Sequence, residues 1–89
     1  LRASPKPEEE ESMERELIEY LAKALVDEPE QVDVSVIEGE KSTILELRVA
    51  PDDVGKVIGK HGRIAKSMRT VLSAASSRSG KRVVLEILD

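Results

Sequence analysis

Gly59-Lys60-His61-Gly62 is the stretch of this chain whose residue types and spacing could do chemistry. That chemistry is phosphate binding rather than bond breaking. Two glycines permit a tight turn and leave no Cβ to hold a ligand backbone away. A helix predicted to begin just after the loop presents its free N–H groups and the positive end of its dipole there. Lys60 adds a charge at the loop tip, and Arg63, Lys66 and Arg69 follow at three-residue steps near one face of that helix. His61 reads equally as a phosphate donor or as an exposed loop residue. The same four residues also fit a plain interhelical turn with Gly59 as a C-cap.

Other glycine-loop chemistries do not fit. A P-loop needs four residues between its first glycine and Gly-Lys, then Ser or Thr. Here only residues 56–58 separate Gly55 from Gly59-Lys60, and His61 comes next. A dinucleotide fingerprint follows a strand, whereas this loop follows a helical segment. The chain has no cysteine and a single histidine, which excludes thiolate or multi-histidine metal sites and a cysteine nucleophile. Asp52-Asp53 looks like a carboxylate pair, but a place in the first turn of a helix accounts for it. No base, nucleophile or ligand completes a site with it. The reading is therefore of a non-enzyme with no cofactor, no metal and no small-molecule substrate.

Taken as totals, the charges oppose a nucleic-acid partner. Of the 89 residues, 14 are Lys or Arg and 18 are Asp or Glu, giving a formal net charge of −4. Residues 55–85, however, carry eight bases and no acid, so that stretch is +8 and the remainder is −12. A chain polarised in this way can present a basic face while acidic overall. No apolar run approaches the ~20 residues of a membrane span, and no signal-peptide pattern opens the chain. The length allows one small domain.

The elements that must position the loop follow from hydrophobic period and punctuation. Residues 1–12 hold two prolines and four consecutive glutamates, and are expected to be a disordered tail or a remnant foreign to the natural protein. Residues 13–89 are expected to form one domain. A helix is predicted over 13–26, capped by Ser12, with Leu17, Leu21 and Leu25 recurring every four residues and Ile18, Ala22 and Ala24 widening the stripe. Asp27-Glu28-Pro29 stops it. Alternation predicts strands over 31–38 and 42–50, joined as a hairpin, with Thr43, Leu45, Leu47 and Val49 on one face. Pro51 opens a short helix to Ile58. A longer helix follows the loop to about Arg78, with Ile64, Met68, Val71, Leu72 and Ala75 buried, and Ser79-Gly80 ends it. A last strand covers 81–88, with Val83, Leu85 and Ile87 inward. Gly55 is read as a point of close approach, and Arg69, Arg78, Lys81 and Arg82 as a solvated face.

Val57-Ile58-Gly59-Lys60-His61-Gly62 within this αββααβ order resembles a type II KH domain. Residues 49–69 and 16–34 are similar to the small bacterial single-KH RNA-binding proteins of the KhpA family. The resemblance implies an α+β fold, with a three-stranded sheet packed on one side by three helices. It implies that Gly59, Lys60, His61 and Gly62 clamp the backbone of about four single-stranded RNA nucleotides. Val57, Ile58 and Ile64, with Leu47 and Val49 of the middle strand, would line or support a groove for the bases, beside Arg63 and Lys66. The near absence of aromatics suits such an aliphatic groove, since RRM and OB modules stack bases on rings.

The resemblance further implies a cytoplasmic post-transcriptional regulator or RNA chaperone linked to cell division and envelope growth. It would pair with itself or with a larger KH-containing protein of the Jag type, and would have no membrane contact. Two other readings compete. One is an interaction module that uses the fold mainly for dimerisation. The other is a helix-turn-helix DNA reader, disfavoured because a recognition helix needs no paired-glycine loop.

Overall fold

The computed structural model describes residues 7–77 and 80–88. The first helix, α1 (Pro7–Leu25), starts earlier than the predicted 13 and takes in residues 7–12. Proline is favoured in a first turn. Ser12, expected as the cap, is inside the helix. The rest of α1 follows its period, with Ile18 and Ala22 buried and Leu21 and Leu25 packed beside them, while Ala24 is exposed. A 3-10 turn over Pro29–Gln31 leads to the hairpin β1 (Asp33–Glu38) and β2 (Ser42–Arg48).

The two strands pair antiparallel from Asp33↔Arg48 to Glu38↔Thr43. The turn is closed by the Gly39 N–H donating to the Ser42 carbonyl at 2.7 Å. A 3-10 turn, Pro51–Asp53, then opens α2 (Val54–Ile58). Beyond the loop come α3 (Arg63–Ser76) and β3 (Arg82–Ile87), which pairs parallel with β2. The sheet order is β1-β2-β3, so β2 is central and β1 and β3 are edges.

The three helices cover one face of the sheet, and the core lies between the layers. Leu45 and Leu47 from β2, Leu85 from β3, Val34 from β1, Val57 from α2 and Met68 and Leu72 from α3 are all buried. Each fully buried leucine stabilises the fold by about 1.5–3 kcal/mol. Along α3 the buried residues are Ala65, Met68, Leu72 and Ser76. This stripe is rotated from the predicted one. Val71 is 44% exposed and Ala75 is also exposed, because the helix turns the 65–68–72–76 side toward the sheet. The helix ends at Ser76, before the predicted Arg78; Arg78 and Ser79 lie outside the described residues.

Both sheet edges meet an arginine. The Arg15 Nε of α1 donates to the Val34 carbonyl at 2.9 Å. Arg69 of α3 donates from Nε and Nη2 to the Leu85 carbonyl at 3.4 and 3.3 Å. Arg69, predicted as a solvated face, is therefore tied to β3.

Candidate nucleic-acid interface

The loop takes its shape from two backbone bonds and three unusual dihedrals. α2 ends where the Gly59 N–H donates to the Gly55 carbonyl at 2.9 Å. Gly59 then turns to φ 79°, ψ 167°, a region open to glycine but not to other residues. Residues Lys60–Gly62 form one 3-10 turn, closed by the Gly62 N–H donating to the Gly59 carbonyl at 3.0 Å. Within it His61 adopts a left-handed conformation, φ 59° and ψ 24°. Gly62 follows at φ 73°, ψ 13° and is the N-cap of α3. Glycine has no side chain to accept from the first turn, and no side-chain cap bond is made there. The Arg63 N–H donates to the Lys60 carbonyl, and the N–H groups that follow it in the first turn of α3 have no side-chain cap from Gly62.

The cations stand around this opening. Lys60, His61, Arg63 and Lys66 are all exposed, and among the described residues their side chains have no hydrogen-bond or ion-pair partner. Lys56, counted in the same basic stretch, differs. Its Nζ donates to Asp53 Oδ1 at 3.1 Å and lies 3.0 Å from Asp27 Oδ2. These two carboxylates raise its pKa above the usual lysine value, Asp27 contributing most, against a smaller opposing effect of desolvation. Asp53 itself is buried, 2% exposed, and accepts at Oδ2 from the Glu28 N–H at 3.1 Å. Burial works to raise its carboxyl, but the bonds from Lys56 and from the backbone of Asp27 and Glu28 prevail and hold it below the ordinary value. Asp53 therefore joins two segments, where the sequence suggested only a favourable place near a helix start. The i,i+3 spacing of Asp53 and Lys56 was the available signal.

The apolar residues expected at a groove divide into two sets. Ile58 is 38% exposed and Ile64 half-buried, both beside the loop. Val57, Leu47 and Val49 are closed inside the core. They line no open surface: Leu47 lies on the inward face of the central strand β2, Val49 just after it, and Val57 is the buried side chain of α2. Gly55 is exposed and nothing stands within 4 Å of where its Cβ would be, so it marks no close approach.

An open groove of about 590 Å³ lies instead between α3 and β3, lined by Arg69, Leu72, Ser76, Arg82, Val83 and Leu85 among others. The Arg82 and Leu88 N–H groups point to β2. The alternation of a parallel ladder therefore turns the backbone polar groups of Val83, Leu85 and Ile87 outward along this edge. Sequence period alone could not find it, since edge position depends on strand order.

The family model for the KhpA/KhpB KH domain matches residues 15–87. The chain belongs to that family. "RNA-binding protein KhpA" of Borreliella burgdorferi is 59% identical over 76 residues, 85% of this chain and 93% of that one. "RNA-binding protein KhpA" of Clostridium acetobutylicum is 60% identical over 74 residues, 83% of this chain and 99% of that one. Among solved structures, Aquifex aeolicus Era bound to GDP and AlF4− has a similar fold, with TM-score 0.59 and 21% identity over 94% of this chain. The KH chain covers 31% of that protein, so this likeness concerns the fold alone. The KhpA/KhpB family is non-catalytic, in keeping with a binding role rather than an enzymatic one. Among the described residues no helix of this KH domain is long and apolar enough to cross a membrane.

Proposed function

We propose that this chain binds single-stranded RNA, with Gly59–Gly62 holding the sugar–phosphate backbone and Lys60, His61, Arg63 and Lys66 supplying the charge. The observation that carries this reading is the loop itself. Two glycines with positive φ place an uncapped helix N-terminus and four exposed basic side chains at one spot. Phosphate is the ligand such an arrangement favours. The relatives' printed names support RNA as the phosphate's source.

The bases would pass Ile58 and Ile64 and run along α3 toward the β3 edge. There the outward N–H and C=O groups of Val83 and the N–H of Leu85 offer hydrogen bonds to base edges, the Leu85 carbonyl being covered by Arg69. Residues 13–89 form the working unit on this reading. The resemblance supports a cytoplasmic regulator or RNA chaperone acting in cell division and envelope growth, paired with itself or with a larger KH protein of the Jag type. Pairing is physically useful because one module reads about four nucleotides, and a second linked site raises avidity.

The decisive variant is Lys60→Asp with His61→Asp, both glycines kept. Affinity for single-stranded RNA should fall at least tenfold, about 1.4 kcal/mol, while circular dichroism and self-association stay unchanged. Unchanged RNA affinity would overturn the clamp in favour of the interaction-module reading. A preference for duplex DNA in competition would favour the helix-turn-helix reading.

A further inference from the structure

We propose that Asp53, with Lys56 and Asp27, is a positioning device that presets the phosphate-binding loop without touching the ligand. This rests on the loop being the RNA clamp, as proposed above.

α2 is a helix of five residues whose single buried side chain is Val57. Helices of that length do not hold themselves in water. Its far end carries Gly59, so any looseness in α2 passes directly to the loop. What fixes its near end is Asp53. The carboxylate is one of few buried charged groups, and both of its oxygens are engaged. Oδ2 takes the Glu28 N–H, across 25 residues of sequence, and Oδ1 takes Lys56 Nζ, one turn into α2. Lys56 then reaches Asp27 at the end of α1. The start of α2 is thereby tied at two points to the connection between α1 and β1. A buried carboxylate with these partners fixes direction as well as distance.

The contact also removes a cation from the site. Lys56 is flanked by two carboxylates, so it adds no net positive charge toward phosphate. Its place in the basic stretch is structural. Preorganisation of this kind raises affinity by lowering the ordering cost on binding.

Hydrogen exchange and RNA binding, measured together on the full chain, test the device. Asp53→Asn should speed exchange of the Gly59 and Gly62 amides while amides of β2 keep their protection. RNA affinity should fall about fivefold or more with the protein fully folded. Lys56→Gln should do the same to a smaller extent, and Lys56→Arg, which keeps a cation between the carboxylates, should restore both readouts. If Asp53→Asn does not fold, the two Lys56 variants carry the test. Exchange rising equally in loop and sheet would reduce Asp53 to a general stabiliser and overturn the proposal, as would unchanged Gly59 exchange. The Lys60→Asp, His61→Asp variant separates the two ideas. If it binds RNA normally the clamp reading fails, while the exchange data still decide whether Asp53 sets the loop.

Discussion

A Cβ placed on Gly59 would stand 2.5 Å from Cγ1 and 2.8 Å from Cβ of Ile64. The second distance decides the outcome, because a Cβ cannot be moved by changing rotamer. Gly59 is therefore required twice, by its φ of +79° and by the start of α3 closing over it. Gly62, at φ +73°, has nothing within 4 Å of its Cβ position. Gly59→Ala should thus cost about 2–5 kcal/mol, combining a positive-φ penalty of ~1–2 with overpacking of ~1–3. Gly62→Ala should cost only the first part. Adding Ile64→Ala to Gly59→Ala should leave the variant well below the parent, because alanine keeps the Cβ that stands 2.8 Å away. Urea midpoints of the four proteins check the order, and equal costs at the two glycines would contradict it.

Salt dependence should sort the basic residues. Lys60, Arg63 and Lys66 are exposed and without partners among the described residues, whereas Lys56 is flanked by Asp27 and Asp53. For single strands each neutralised phosphate contributes about −0.7 to the slope of log K against log salt. Lys60→Ala, Arg63→Ala and Lys66→Ala should each flatten the slope by up to that amount. Lys56→Gln should weaken binding and leave the slope as it was. Anisotropy titrations with one RNA from 50 to 400 mM salt measure this; a flatter slope for Lys56→Gln would place that lysine on phosphate.

Much of this arrangement was legible in the residues. The period-two runs fixed both hairpin strands and their buried face, and the two glycines marked the loop between helices. Three things were not legible, each because it depends on contacts distant in sequence. Leu47 and Val49 satisfied the pattern for a groove as well as for a core, and only the central place of β2 closes them. The groove at β3 required knowing which strand is an edge. Asp53 read as a first-turn carboxylate because its partner, the Glu28 N–H, lies on a backbone that no pattern of side chains reports. The start of α1 differs for another reason. A glutamate run suits a tail and a helix N-terminus alike, and the helix begins at Pro7.

Acid should reveal the buried carboxylate. Asp53 is held below its ordinary value of 3.8, so below the usual carboxylate range the unfolded chain binds more protons than the folded one. Its contribution is complete above that range and is lost as pH falls through the folded pKa. Asp53→Asn should therefore be less stable than the parent at pH 7 and approach it near pH 2. Lys56 shows the opposite sign. Its pKa lies above the ordinary 10.5, so its contribution holds below that value and fades as pH rises through the folded pKa. Urea midpoints from pH 2 to 7 should give a steeper acid limb for the parent than for Asp53→Asn. Parallel curves would mean that the carboxylate is not held as described.

The two arginines at the sheet edges make a last expectation. An edge strand offers unpaired backbone groups to any other chain, and proteins block such edges with charged side chains. Here the Arg15 Nε covers the Val34 carbonyl on β1, and Arg69 covers the Leu85 carbonyl on β3. The Arg15 bond is the shorter at 2.9 Å, against 3.3 and 3.4 Å for Arg69. Arg15→Met should therefore cost more stability than Arg69→Met, each within about 0.5–1.5 kcal/mol. Methionine keeps much of the apolar stem and removes the charge, so the loss isolates the guanidinium. Arg69 also lines the groove at β3, so Arg69→Met should lower RNA affinity, whereas Arg15→Met, on the opposite edge, should not. With both replaced, light scattering should show concentration-dependent association beyond that of the parent protein. Association unchanged in the double variant would mean that the twist and shortness of the strands already protect these edges.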